Sequence, residues 1–297
     1  MKKIIFIIYV LIIPSVKSFS QLQDTIFLKN DNKFLNSIQL SENINNNINL
    51  SLNNYKEYFY YLNNKTSLDI EYNDVTYYYV KKYLSYKWLP KIIGLSTYYF
   101  PLFESKLAQY NLPPELKYLA IVESNLNPRA ISSAGAKGIW QFMPATGKQY
   151  GLYQDKYVDL FYDPVASTDA AARYLKYLHD KFGDWNLAIS AYNAGPARIE
   201  NLIKKHKTKN YWKLRPYMPK ETQAYVPTFI AINYIFNFYK QHQLKPIYFK
   251  YTFFDFQIVR NERQQKIIAD PLFKFANPHL LHTHIPEGVH YYKIKER

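Results

Sequence analysis

Residues 123–143 read Glu-Ser-Asn-Leu-Asn-Pro-Arg-Ala-Ile-Ser-Ser-Ala-Gly-Ala-Lys-Gly-Ile-Trp-Gln-Phe-Met, and they follow a strongly apolar segment. That segment, residues 113–122, predicts a helix that is buried on nearly every side and has two prolines in its first turn. Glu123 lies four residues after Leu119 and three after Ala120, so it shares their helix face. We therefore expect a carboxylate at the buried C-terminal end of this helix.

The position of Glu123 predicts an unusual protonation state. Burial disfavours the ionised carboxylate, and so does the negative end of the helix dipole, because residues 125–128 should end the helix. Both effects raise the pKa, and a carboxylic acid that stays protonated near neutral pH is what general acid catalysis requires. The alternative is a glutamate at a frayed helix end that points into solvent. The helix pattern alone leaves both interpretations open.

A loop with little side-chain bulk follows the glutamate, so a ligand can approach its backbone closely. Its small residues are Ser132, Ser133, Gly135 and Gly138. Residues 140–143, Trp-Gln-Phe-Met, then place aromatic surface beside one side-chain amide. Apolar sugar faces stack on aromatic rings, while hydroxyl and N-acetyl groups pair with amides. The combination predicts a carbohydrate polymer as the ligand.

Ordered motifs extend from residue 123 to residue 227. They are Glu-Ser-x-x-Asn-Pro from residue 123, Ser-x-x-Gly-Ala-x-Gly-Ile-Trp-Gln-Phe-Met-Pro-x-Thr-Gly from 132, Asp-Pro from 163, Ala-Ala-x-Arg-Tyr-Leu from 170, Ala-Tyr-Asn-Ala-Gly from 191, and Pro-Lys-Glu-Thr-x-x-Tyr-Val-Pro from 219. This order resembles the catalytic core of lytic transglycosylases, peptidoglycan-cleaving enzymes with a goose-type-lysozyme-like fold. The Trp-Gln-Phe-Met-Pro form is most similar to the membrane-bound lytic murein transglycosylase D type. So many motifs in order are a far stronger signal than one pattern.

The resemblance implies one catalytic residue, Glu123, and a set of residues that orient the sugar. The implied substrate-binding positions are Ser132, Gln141, Met143, Tyr192, Asn193 and Tyr225. By spacing alone Tyr192 fits a core aromatic equally well, but the matching family tyrosine borders the glutamate. Asn193 fits either a helix cap or a ligand contact.

The predicted fold is mainly α, a lysozyme-like (goose-type) helical catalytic domain with a small C-terminal α+β extension. We expect a signal peptide at 1–20, an Asn-rich low-complexity tether at 21–66, a helical transglycosylase region at 67–240 with its catalytic core at about 98–240, and a small extension at 241–297. Helices are predicted at 72–84, 89–97 and 102–110 before the catalytic one, and short strands around 248–253.

The start of the chain predicts export. Two lysines precede an apolar run at residues 4–13, which is too short to span a bilayer comfortably, since that takes about 20 residues. We expect cleavage after Ser20 and a periplasmic location, with an uncleaved membrane anchor as the alternative. The chain has no cysteine, so neither a disulfide nor a lipidated N-terminal cysteine is expected.

The formal net charge of +15 favours polyanionic partners. For an exported protein these are the cell wall, with its peptide carboxylates, and lipid head groups, so association with the cell envelope is expected. No basic stripe interleaved with base-stacking aromatics is present, and nucleic acid is not an expected partner. The enzyme is expected to act as a monomer on glycan strands.

Four histidines cluster near the C-terminus and invite a metal interpretation. They are His279, His282, His284 and His290. The chain lacks cysteine and a His-Glu-x-x-His helix, so solvated or aromatic-packed histidines are the default and no metal or other cofactor is expected.

The resemblance predicts cleavage between N-acetylmuramic acid and N-acetylglucosamine, with closure of a 1,6-anhydro ring. Most glycosidases use two carboxylates, whereas the resemblance implies a single acid. Five aspartates near the motifs are assigned to loops, caps and a solvated helix face: Asp159, Asp163, Asp169, Asp180 and Asp184. The alternatives are a goose-type-lysozyme-like hydrolase that admits water and a cell-wall-binding protein without turnover.

Overall fold

The computed structural model of the protein describes residues 50–266, 270–282 and 284–295. The expected signal peptide and most of the expected tether lie outside these ranges. The helices in the described part are α1 Leu52–Asn63, α2 Asp74–Leu84, α3 Leu89–Gln109, α4 Leu119–Ser124, α5 Pro144–Gln149, α6 Pro164–Phe182, α7 Trp185–Ala194, α8 Pro196–His206, α9 Tyr211–Leu214, α10 Lys220–Phe238 and α11 Pro271–Ala276. Short 3₁₀ helices occupy Pro114–Tyr118, Arg215–Tyr217 and Phe253–Asp255. The prediction of a mainly α fold is confirmed.

Helix α10 forms the centre of the core. Its residues 225–236 are all buried, because that run is apolar or aromatic on every helix face except at Thr228 and Asn233. The helix lies against α1, α2, α4 and α7. Tyr225 stands at the N-terminal end of this buried run, so its position is set by the packing of the core.

Helix α1 lies inside the stretch assigned to the tether. Ser51 caps it, and Tyr55, Phe59 and Leu62 are buried at spacings of four and three residues. The rings of Phe59 and Tyr234 stack with centroids 4.8 Å apart. The structure therefore differs from the predicted tether at these residues. The apolar face of the helix is short, and the many asparagines around it obscure the helical pattern in the sequence.

Helix α3 is continuous, and the prediction of two separate helices around Pro101 is wrong. Proline removes one backbone donor from a helix and usually breaks or kinks it. Here Tyr98, Tyr99 and Phe103 are completely buried on both sides of the proline. Tertiary packing therefore holds the helix together across Pro101.

Helix α6 begins as predicted, with Asp163 as the N-cap and Pro164 at the first helical position. One carboxylate oxygen of Asp163 accepts hydrogen bonds from the backbone N–H groups of Val165 at 2.8 Å and Ala166 at 3.0 Å. This capped helix lies against α3 and α7.

In its described residues the C-terminal extension contains α11, the 3₁₀ helix Phe253–Asp255 and two small antiparallel sheets. Strand β1, Phe256–Arg260, pairs with β4, His290–Ile294, and β2, Gln265–Lys266, pairs with β3, His284–Ile285. The strands predicted around residues 248–253 are wrong. The rings of Phe249 and Phe253 in that segment lie 5.5 and 5.9 Å from Tyr98, so its alternating pattern reflects aromatic packing onto α3.

None of the helices in the described ranges is both long and apolar enough to cross a membrane.

Candidate active site

The chain turns sharply just after Glu123. A 3₁₀ helix at Pro114–Tyr118 leads into α4, and the next two residues, Asn125 and Leu126, both have left-handed backbone, with φ of 52° and 64°. Left-handed residues end a helix because they cannot continue its hydrogen-bond ladder. The glutamate therefore lies at the end of the helix, as predicted.

Glu123 is half-buried and has a perturbed carboxyl group. Burial raises its pKa, a hydrogen bond from the Tyr225 hydroxyl to Oε1 opposes the rise, and the nearby carboxylate of Glu221 adds to it, so that the pKa moves from 4.5 to about 8 in total. Burial is the largest of these effects. The expected general acid is therefore protonated at neutral pH, and the interpretation of Glu123 as a solvated helix-end glutamate is not favoured.

Two of the groups that act on Glu123 come from α10. Tyr225 is buried, whereas Glu221 is exposed one helical turn earlier. Residues four apart share a helix face. Glu221 is not among the site residues predicted from the sequence, although its spacing from Tyr225 indicates that both can face Glu123.

Tyr192 borders Glu123 from α7. Its hydroxyl donates to the backbone carbonyl of Trp140 at 2.8 Å, and burial together with the charge of Glu123 raises the pKa of this phenol well above its usual value. The ring lies 5.3 Å from Tyr174 and 6.1 Å from Phe142. Tyr192 thus supports the loop with its hydroxyl while its ring lies beside the acid.

The loop after the helix is fixed by its own backbone. Lys137 and Phe142 exchange two backbone hydrogen bonds, at 2.9 and 3.0 Å, and Gly138 N–H donates to Ala130 at 2.9 Å. Ser124 Oγ donates to the Ile139 carbonyl at 2.8 Å, which ties the loop to the end of α4. The predicted small-residue loop is therefore a rigid element next to Glu123.

Gln141 and Ser132 form hydrogen bonds within this loop. Gln141 has left-handed backbone, with φ of 48°, and its amide nitrogen donates to the carbonyls of Ala130 at 3.1 Å and Gly138 at 2.8 Å. Both amide protons are thus committed, which leaves the amide oxygen as the group suited to a substrate donor. Ser132 Oγ accepts from Ala136 N–H at 3.0 Å.

The expectation that Trp140 and Phe142 offer aromatic surface to a sugar is wrong. Trp140 is completely buried and donates its indole N–H to Thr168 Oγ1 at 2.9 Å, and Phe142 is also buried. Their side chains pack into the core beneath the loop and anchor it there. Met143 is 45% exposed, so it can contact a ligand.

Asn193 is neither a cap nor an isolated side chain. Helix α7 ends at Ala194 and Gly195 occupies the C-cap position. The Asn193 side chain accepts from Thr222 Oγ1 at 2.8 Å and donates to Glu221 at 3.3 Å. It joins α7 to the start of α10, where its exposed neighbour Glu221 faces Glu123.

The five aspartates have separate structural roles. Asp163 and Asp184 cap α6 and α7, and Asp169 and Asp180 form ion pairs with Arg173 and Lys176. Asp159 is buried and forms an ion pair with Lys137, which the prediction of a loop aspartate did not include. Their assignment away from the reacting centre stays a prediction.

We expect opposite pH effects from the two α10 neighbours of Glu123. Tyr225→Phe removes the hydrogen bond that lowers the pKa of Glu123, so the alkaline limb of the rate profile should move to higher pH. Glu221→Gln removes a negative charge that raises this pKa, so the limb should move to lower pH. The measurement is kcat/KM against pH on the same substrate. If the alkaline limbs of both variants coincide with that of the wild type, Glu123 does not set the pH profile.

Part of the chain is similar in sequence to known transglycosylases. Residues 101–215 match the family model described as the Transglycosylase SLT domain. The chain is 41% identical over 140 residues to membrane-bound lytic murein transglycosylase D of Escherichia coli K12, which covers 46% of this chain and 30% of that protein. It is 42% identical over 89 residues to the transglycosylase of Enterobacteria phage PRD1, covering 30% and 31% of the two chains. The predicted resemblance to lytic transglycosylases is confirmed.

The chain spans about a third of the length of these two relatives, 30% and 31%. Among solved structures it is similar to the 70 kDa soluble lytic transglycosylase of Escherichia coli, with a TM-score of 0.43 and 24% identity. That similarity covers 50% of this chain and 25% of the other.

Proposed function

We propose that this chain is a peptidoglycan lytic transglycosylase that cleaves the β-1,4 bond between N-acetylmuramic acid and N-acetylglucosamine. The observation that supports this proposal most is the protonated Glu123, with a pKa of about 8, inside the segment that matches the transglycosylase domain. Tyr225, Tyr192 and the rigid loop surround this carboxyl group. A general acid held between fixed neighbours is suited to protonating a glycosidic oxygen.

In the proposed reaction Glu123 donates its proton to the glycosidic oxygen while the bond from that oxygen to C1 of the muramic sugar breaks. Positive charge develops at C1, and the C6 hydroxyl of the same sugar attacks it. The Glu123 carboxylate takes the proton of that hydroxyl, so the residue is regenerated and a 1,6-anhydro ring is closed. The intramolecular hydroxyl replaces water and the second carboxylate that most glycosidases need. The chemistry requires no metal or cofactor.

Substrate binding is assigned to the groups around Glu123. The free amide oxygen of Gln141 can accept from an N-acetyl N–H, and exposed Met143 can contact a sugar face. Ser132, Tyr192, Asn193 and Tyr225 complete the proposed set. Peptidoglycan glycan strands are the proposed partner, with export to the periplasm as the proposed route to them.

Product analysis distinguishes the proposal from its alternatives. Purified peptidoglycan is digested with the protein, and the released muropeptides are weighed by mass spectrometry. Anhydro-muropeptides support transglycosylation, reducing ends indicate a goose-type-lysozyme-like hydrolase, and binding without products indicates a non-catalytic cell-wall protein.

Activity should fall as the pH rises through about 8. The pKa of Glu123 is raised, so its acid form is dominant below that value and is lost above it. We expect kcat/KM to decrease about tenfold for each further pH unit, because one proton must be present. Initial rates on solubilised peptidoglycan between pH 6 and 10 measure this limb. A profile that is flat from pH 7 to 9.5, with the fold intact by circular dichroism, would contradict the assignment of the acid.

A further inference from the structure

Two of the four C-terminal histidines meet a buried aspartate at the start of α6. His290 Nε2 lies 2.7 Å from Asp163 Oδ2, and His279 Nδ1 lies 3.7 Å from the same oxygen. The side chains of Asp163 and His279 are completely buried, whereas His290 is 38% exposed. His282 and His284 are both exposed. The default assignment of all four as solvated or aromatic-packed histidines therefore misses this cluster.

The two oxygens of Asp163 have different surroundings. Oδ1 accepts from two backbone N–H groups of α6 and from the Tyr292 hydroxyl at 2.8 Å, so its hydrogen-bonding capacity is used. Oδ2 faces the imidazoles of His290 and His279, at 2.7 and 3.7 Å. The helix cap thus fixes the carboxylate and presents one oxygen to His279 and His290.

The orientation of His279 leaves one ring nitrogen available as a ligand. Its Nε2 lies 3.2 Å from the backbone carbonyl of His290, and since a carbonyl only accepts, this nitrogen carries a proton. His279 Nδ1 lies on the opposite side of the ring and faces Asp163 Oδ2 at 3.7 Å. That Nδ1 is buried and has no hydrogen-bond partner among the described residues. A buried polar atom without a hydrogen-bond partner needs an explanation, and an ion bound between Nδ1 and the Asp163 carboxylate supplies one.

The geometry points to a divalent metal site, of the class that Zn²⁺ occupies, formed by Asp163 Oδ2, His279 Nδ1 and His290 Nε2. These three atoms lie within 4.8 Å of one another. Two imidazoles and a carboxylate around an open position are a typical zinc ligand set, and they do not suit Ca²⁺ or Mg²⁺, which prefer oxygen. The bond from His279 Nε2–H to a carbonyl is the outer contact that orients such ligands. His290 is 38% exposed, so a metal ion can reach this cluster from solvent and a water can serve as its fourth ligand.

Binding requires a small adjustment. Tetrahedral zinc separates its nitrogen and oxygen ligands by about 3.3 Å, so the 2.7 Å contact between His290 and Asp163 must open slightly and His290 must release its Nε2 proton. His290 lies at the start of β4 near the surface, where a shift of this size is tolerated. His279 Nδ1 and Asp163 Oδ2 already face each other at 3.7 Å.

The site would join the extension to the loop that holds the proposed active site. Asp159 N–H donates to the His279 carbonyl at 2.9 Å, and the Arg129 guanidinium donates to the carbonyls of Pro278 at 2.8 Å and Leu280 at 2.9 Å. Residues 278–280 are thus bonded to Arg129, in the segment that follows Glu123, and to Asp159. A metal here stabilises that support and takes no part in the chemistry.

The test uses the full chain, purified without a histidine tag and stripped with chelator. Zn²⁺ is titrated by calorimetry at neutral pH, and Co²⁺ is added to a second sample to record its absorption. His290→Asn is the ligand variant, and His282→Asn is the matched control, an exposed histidine of the same segment. We expect one Zn²⁺ per wild-type or His282→Asn chain, and a loss of affinity of more than about 100-fold in His290→Asn, since losing even an outer contact costs about 10- to 100-fold.

Zn²⁺ should also raise the Tm of the wild type and of His282→Asn but not that of His290→Asn. Intense visible Co²⁺ bands from the wild type would indicate four-coordinate nitrogen and oxygen ligands, and this readout does not depend on how the variant folds. The proposal is overturned if the wild type takes up no stoichiometric Zn²⁺ and gives only weak octahedral Co²⁺ bands, or if a folded His290→Asn binds Zn²⁺ like the wild type. None of these readouts depends on peptidoglycan cleavage, so they test the metal site separately from the proposed function.

Discussion

Glu123→Gln should abolish peptidoglycan cleavage, with a loss in rate of about 100- to 10,000-fold. Glutamine keeps the shape of glutamate and its amide oxygen can still accept the Tyr225 hydroxyl bond, but the amide cannot donate the proton. Cleavage per folded molecule, followed by release of soluble muropeptides, measures the effect. Glu57→Gln on the exposed face of α1 is the matched control and should retain full activity.

The same Glu123→Gln variant should be more stable than the wild type at alkaline pH. The pKa of Glu123 is about 8 in the folded chain against an ordinary value of 4.5, so the folded state holds a proton that the unfolded state releases between these values. The contribution of Glu123 to stability is therefore complete below about pH 4.5 and is lost as the pH rises through 8. The Tm difference between variant and wild type should grow from pH 5 to pH 8.5. A constant difference would mean that Glu123 is not perturbed by burial.

Gly138→Ala should disrupt the loop and with it the activity. Gly138 has φ of 83°, and a Cβ there would lie 1.9 Å from the backbone carbonyl oxygen of Phe161, which cannot move aside as a flexible side chain could. The left-handed conformation costs about 1–2 kcal/mol and overpacking a further 1–3 kcal/mol, so we expect a free energy of unfolding lower by roughly 2–5 kcal/mol. Urea denaturation measures the stability, and muropeptide release measures the activity.

Gly135→Ala separates the clash from the backbone effect. Gly135 lies three residues earlier in the same loop with φ of 84°, but a Cβ there would meet nothing within 4 Å. Its cost should be limited to the conformational part, about 1–2 kcal/mol. Equal destabilisation by the two substitutions would show that the contact between Gly138 and Phe161 is unimportant.

Much of the architecture around the acid could be predicted from local sequence. The apolar helix before Glu123, the Asp163–Pro164 helix start and the Gly195 stop each follow from interactions between residues close together in the chain. The same local logic failed where distant contacts decided the outcome. Pro101 lies within a continuous helix because aromatic residues on both sides of it pack into the core. Trp140 is buried because its indole N–H bonds to Thr168 and its ring packs in the core.

The sequence by itself determined the identity of the candidate acid, the helical class and the family resemblance, because these depend on residue types at fixed spacing. Only the tertiary structure decided what surrounds Glu123. The Tyr225 hydrogen bond spans 102 positions and the Asp163–His290 contact spans 127, and no local pattern predicts which distant side chains meet. The pKa of Glu123 depends on burial and on the distances to those groups, which exist only once α4, α7 and α10 have packed together.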